Sequence, residues 1–165
     1  MKALSIILVL ALALTGCNAQ QKAQDVYNVI EAVVAVAQAE APNVPAQDQV
    51  VYSGFVALAG TLADQLQVCI KAGGTKSAKL LSCFNAYAIG LSSPTELAQL
   101  RVLSPASQKK VQLYVTSIVA GVNVALRFYG GTQAQAPAVG SAPAPTKAEL
   151  NQLREEIASE TGLVL

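Results

Sequence analysis

The sequence predicts an all-α fold, a small helical bundle of about five helices followed by a flexible linker and a short carboxy-terminal helix. Three observations carry that reading. Apolar residues recur at three- and four-residue steps through most of residues 23–129, which is the spacing of one helix face. Proline, glycine and serine clusters fall between the apolar runs, where helices start and stop. Valine is frequent enough to argue for strands, but no run alternates apolar and polar residues between turn signals. Of 165 residues 53% are apolar and 13% charged, enough to fill one core.

The first element is an export signal. Met1-Lys2 gives a positive start, and Ala3 to Leu14 is uncharged and, but for Ser5, apolar throughout. That run falls short of the about 20 residues a membrane-spanning helix needs and suits the apolar region of a cleavable signal. Leu14-Thr15-Gly16-Cys17 follows and resembles the lipobox of bacterial lipoproteins, a resemblance confined to the first 17 residues. It implies that the signal peptide 1–16 is removed and that Cys17 is diacylated and becomes the amino terminus, with 17–22 as a tether to a membrane. In the Gram-negative members of that family an aspartate after the cysteine tends to retain the protein at the inner membrane. Asn18 stands there, so the resemblance implies the outer membrane, with the body facing the periplasm. A looser competing pattern, cleavage after Cys17-Asn18-Ala19, would discard Cys17.

The bundle spans 23–129. Residues 23–41 place Val26, Ile30, Val33 and Ala37 on one face, and Pro42 and Pro45 end that run. Residues 46–71 carry Val51, Phe55, Leu58, Leu62, Leu66 and Cys69 as the apolar stripe of a long helix, closed by Ala72-Gly73-Gly74. A helix over about 76–91 lines up Leu80, Phe84, Tyr87 and Leu91. Ser93-Pro94-Thr95-Glu96 is a capping box that opens a short helix to about Val102. Ser104-Pro105 repeats the device and opens 105–129, with Val111, Val115, Ile118, Val122, Ala125 and Tyr129 in line. Small residues at close spacing on the two long helices (Ser53, Ala57, Gly60 and Ala63; Ser117, Gly121 and Ala125) let helix backbones approach closely, in membranes and in tight soluble bundles alike. Residues 130–145 are rich in Gly, Ala and Pro without periodicity and read as a disordered or extended linker. Thr146 and Glu149 form a capping box for the last helix, within 146–165. Its narrow seam of Leu150, Leu153 and Ile157 must dock on the bundle, find a protein partner or fray.

Chemistry is sparse. With Cys17 lipidated, Cys69 and Cys83 remain, and an even pair in an exported chain reads as a disulfide, against two buried free thiols. The geometry raises an objection: Cys69 sits near its helix end, whereas Cys83 lies about 10 Å into a helix that starts at Lys76. There is no histidine, which removes Ser-His-Asp and Cys-His catalysis and histidine zinc sites. Ser107-Gln108-Lys109-Lys110 matches an isolated Ser-x-x-Lys, and Gly73-Gly74-Thr75-Lys76-Ser77 has the wrong order for a phosphate loop. The first reads as a helix start and the second as a turn. Ten scattered acids form no metal set, and no cofactor is expected.

Net charge is +1, which gives no reason to expect nucleic acid. The charges are nevertheless segregated. From Lys22 to Asp64 one base meets five acids, from Lys71 to Arg127 seven bases meet one acid, and from Lys147 to Glu160 two bases meet four acids. Two readings follow: complementary faces inside one bundle, or a basic middle turned to anionic lipid headgroups. The expectation is a lipid-anchored, non-enzymatic envelope protein with a structural or interaction role. The competing classes are a module that binds a lipid or apolar ligand, and a membrane-active lysis or immunity protein driven by the uncharged stretch 111–126.

Overall fold

Helix ends fall where proline, glycine and serine put them. The computed structural model describes residues 19–161; the export signal and Cys17 lie outside the described residues. Within them are six α-helices and no strand. Helix α1 is Ala19–Glu40, and Pro42 turns its exit into the short 3-10 helix Ala41–Asn43. Helix α2 is Gln49–Gly73, and Gly74 turns the chain at φ +56°, a backbone setting that glycine adopts without steric cost. Helix α3 is Ser77–Leu91, α4 Pro94–Leu100 and α5 Pro105–Phe128. Helix α6 is Lys147–Thr161. Ser104 caps α5, its hydroxyl accepting from the Ser107 N–H. Ser93 makes no side-chain cap on α4, contrary to the capping-box expectation; its carbonyl instead accepts from Leu97 N at 3.0 Å.

Contacts along the helices fix their directions. Tyr52 Oη donates to the Ala37 carbonyl at 3.1 Å, bringing the start of α2 to the end of α1. A disulfide joins Cys69 on α2 to Cys83 on α3. Tyr129 Oη donates to the Ala19 carbonyl at 2.5 Å, and Lys110 pairs with Glu40, so α5 runs back along α1. Helices α1, α2, α3 and α5 thus form an up-down-up-down four-helix bundle, each packed on its neighbours. Helix α4 bridges one end and packs on α2, while α6 lies on α1 and α5. The bundle has an entry end (the start of α1, the α2–α3 turn, the end of α5) and a far end (Glu40, Asp48, α4, the start of α5).

The core runs through all of it. Ile30, Tyr52, Ile70, Leu80, Phe84, Leu91, Leu100, Ile118 and Leu126 are fully buried, and each such apolar side chain contributes about 1.5–3 kcal/mol. The stripes expected for α1, α3 and α5 are buried almost throughout. That of α2 is rotated. Its core face is Tyr52, Phe55, Val56, Ala59, Ala63, Leu66 and Ile70, because Tyr52 reaches across to α1. Leu62 and Cys69 lie on the flank that meets α3, where a Cβ on Gly90 would stand 2.7 Å from Leu62 Cδ2. Of the small residues on α2, Ser53 and Ala57 face solvent. Ala63 on α2 and Gly121 and Ala125 on α5 are buried as expected, and Ala59 joins Ala63 on the packed face.

Residues 130–145 are extended, but they are not a free linker. They form a strap pinned along α5 by three amide side chains. Asn123 Oδ1 accepts from Ala134 N at 2.8 Å, and its Nδ2 donates to Ala134 O at 2.9 Å. Gln112 Oε1 accepts from Val139 N at 2.7 Å, and its Nε2 donates to Pro137 O at 3.2 Å. Gln108 Oε1 accepts from Ser141 N at 3.1 Å. Val139 is fully buried, and Gly140 turns at φ +57° against Gln108, where a Cβ would collide with the amide. A chain without periodicity thereby gains the order that its own side chains do not encode.

Candidate functional site

The residues singled out in the sequence lie in three places. Cys17 lies outside the described residues, two positions ahead of the first turn of α1. That turn is held by the end of α5. Tyr129 Oη bonds the Ala19 carbonyl, its ring stacks 6.2 Å from Phe84, and Phe128 meets it edge-on at 4.9 Å. Lys22 Nζ stands 4.7 Å over the Phe128 ring, within range of a cation–π attraction. Burial, only partly offset by a backbone hydrogen bond, pushes the Tyr129 hydroxyl up to about 12.

Cys69 and Cys83 are brought together as a disulfide with Cα atoms 5.8 Å apart. The helix-start objection is resolved by α2, not α3. Helix α2 continues to Gly73, a full turn past Cys69, so both cysteines stand about one to two turns from a tight antiparallel hairpin. Cys83 is buried and Cys69 packs beside the core. The bridge fastens the two helices that flank the α2–α3 turn.

At the far end a polar knot joins elements distant in sequence. Asp48 is 3% exposed. Its carboxylate accepts from Ser104 N at 3.1 Å, from Ser107 Oγ at 2.6 Å and from Ser104 Oγ. The Ser104 and Ser107 hydroxyls hold the Asp48 carboxyl below its usual range, and the N-terminus of α5 favours the same charge. Ser107 therefore belongs to a helix start, as expected of the Ser-x-x-Lys match. Lys110, the other half of that match, pairs with Glu40 and holds its carboxyl low as well. Lys109 pairs with Glu149 at 2.5 Å. That ion pair, with the Thr146 backbone and hydroxyl, pulls Glu149 down to about 2. The reciprocal Thr146–Glu149 bonds of the expected capping box are present, Thr146 N to Glu149 Oε2 at 2.7 Å and Glu149 N to Thr146 Oγ1 at 3.3 Å.

The seam of α6 is covered by the chain itself. Leu153 and Ile157 are 3% exposed within the core, and Leu150 is half-buried. Of the three fates open to that seam, docking on the bundle is the one observed. Helices α2 and α5 have the length and composition of a membrane crossing, and both bury a core face in the bundle. Among the described residues no three His, Cys, Asp or Glu side chains stand close enough to share a metal ion.

In the sequence Gln112 and Asn123 stand out only as polar residues that make the uncharged stretch 111–126 a bundle helix and not a lipid-exposed span, and Asp48 and Gln108 show nothing of the contacts they make. Asp48 gave no signal beyond its place before a helix. The two glutamines did leave one: Gln108 and Gln112 flank the apolar position Val111 on α5, a polar pair beside a core stripe that needs a partner when buried. No protein family, no curated protein and no solved structure matches this chain.

Proposed function

We propose that this chain is a lipoprotein of the bacterial cell envelope, anchored through Cys17, whose helical body has a structural or interaction role and no enzymatic one. The observation that carries the reading is the apolar run Ala3 to Leu14 followed at once by Leu14-Thr15-Gly16-Cys17, two residues ahead of α1. Acyl chains contribute about 0.8 kcal/mol per buried methylene, and two chains hold a protein stably on a bilayer. The Cys69–Cys83 bridge supports export, because disulfides persist in the periplasm and are rare in the cytosol. Asn18 in place of aspartate favours the outer membrane with the body in the periplasm. The non-enzymatic part is supported by how the buried polar groups are used. Asp48, Ser107, Gln108 and Gln112 all hold one element of the chain to another.

Intact-mass analysis of the mature protein from membranes of producing cells tests the anchor. The expected product begins at Cys17 and carries a diacylglyceryl group. An unmodified terminus starting at another residue overturns the reading, and with it the location.

A further inference from the structure

The charge segregation seen along the chain becomes, in the fold, a difference between the two ends of the bundle. At the far end the bases of α5 are matched: Lys110 pairs with Glu40 and Lys109 with Glu149. At the entry end five bases gather, one of which, Lys22, stands over the Phe128 ring. Lys22 lies in the first turn of α1, Lys71 in the last turn of α2, Lys76 in the α2–α3 turn, Lys79 in the first turn of α3 and Arg127 in the last turn of α5. The two turns of α1, α2, α3 and α5 nearest this end contain one carboxylate, Asp25, which accepts from Gln21 at 2.9 Å. Lys71, Lys76, Lys79 and Arg127 are exposed, and none of them makes an ion pair among the described residues.

The same end carries an aromatic that the core leaves out. Phe128 is 50% exposed at the terminus of α5, beside Tyr129 and under the Lys22 ammonium. An apolar ring among lysines is the composition of a surface that meets a bilayer at headgroup depth, the ring toward the acyl boundary and the ammonium groups at the phosphates. The described chain also begins at this end, with Ala19 two positions after Cys17 in the sequence.

We propose that the entry end is a membrane-contact face, in which Lys22, Lys71, Lys76, Lys79 and Arg127 meet anionic phospholipid headgroups and Phe128 enters the interface, so that the bundle stands upright on its anchor. The occupant follows from charge complementarity and from where the chain departs. Attraction to an anionic surface decays within a Debye length, about 8 Å at physiological salt, so only groups at the anchored end can use it. The proposal depends on the anchored reading for its place in the cell, but not for its physics.

The test separates the two. The chain from Asn18 onward, without signal or lipid, retains every residue of the described fold. It is mixed with vesicles of phosphatidylcholine containing phosphatidylglycerol, and with phosphatidylcholine alone, and the bound fraction is read by sedimentation over a range of salt. Binding to the anionic vesicles only, weakening as salt rises, is expected. The variant Lys71→Glu/Lys76→Glu/Lys79→Glu should bind at least about a hundredfold more weakly. Arg101→Glu/Lys147→Glu, which changes exposed bases at the far end and along α6, should bind as the parent does. Equal binding to both vesicles, no binding, or undiminished binding by the triple variant with its helix content intact would each overturn the proposal. The mass of the mature terminus decides the anchor independently, so a failed face with an acylated Cys17 and a sound face with an unmodified terminus are distinct results.

Discussion

Asp48 is a buried carboxylate whose acceptor positions are filled by a backbone N–H and two hydroxyls. Those bonds favour its charged form, so its pKa in the fold lies below the ordinary 3.8. The sign follows from linkage. The stabilisation is complete above the unfolded value and is lost as pH falls through the folded one. Asp48→Asn should therefore melt below the parent at neutral pH, and the gap should close in acid, where the parent's carboxyl is protonated too. Thermal melts followed by circular dichroism across that range check it; a gap that stays constant with pH would mean the charge contributes nothing. Little at this scale was legible in advance. A serine before a proline announces a helix start, but no local pattern says that an aspartate 56 positions earlier will occupy that start, because the contact exists only once the bundle has closed.

An element can be ordered by a neighbour as well as by its own periodicity, and the strap 130–145 is the case in point. Its Ala, Pro and Gly content predicts an extended chain, and extended it is; what holds it lies on α5. Gln112 is the central tie, because Val139 N is buried and donates to its Oε1 at 2.7 Å. In Gln112→Ala that N–H loses its acceptor, and a buried unsatisfied donor costs about 1–3 kcal/mol. Urea unfolding should register a loss of that size. Amide exchange should accelerate at Val139 while the helix amides of α5 stay protected. Unchanged protection at Val139 would show that the burial of its side chain, not the amide clasp, orders the strap. The helices themselves were legible from spacing, and α2 shows where spacing runs out. Its apolar residues cover two adjoining faces, one toward α1 and one toward α3, and periodicity alone could not tell which of them faces the core centre.

Taken as a whole, the molecule has a core built partly from tyrosines, and this sets its response to alkali. Tyr27, Tyr52 and Tyr87 are at most 2% exposed, and Tyr129 is half-buried at the entry end. Burial is the first cause of a raised pKa in each. Tyr27 and Tyr129 are pushed up to about 12, Tyr27 helped by the charges of Glu31 and Asp64. Tyr52 and Tyr87 are raised further still, Tyr87 with a hydroxyl that has no hydrogen-bond partner among the described residues. In the unfolded chain all four ionise near the ordinary 10.0. Their contribution to stability is thus complete below that value and is lost as pH rises above it, since the unfolded chain releases protons that the folded one retains. Four such groups act in the same direction, so the alkaline limit should be a cooperative unfolding and not a gradual titration. The chain has five tyrosines and no tryptophan, so tyrosinate absorbance reads these groups directly. The bulk of that absorbance should appear together with the loss of helical circular dichroism, at a pH above the ordinary tyrosine value. Smooth ionisation of most tyrosines near pH 10 with helicity intact would mean that the interior admits water and hydroxide, and that the packing described for α1, α2 and α3 is looser than these burials require.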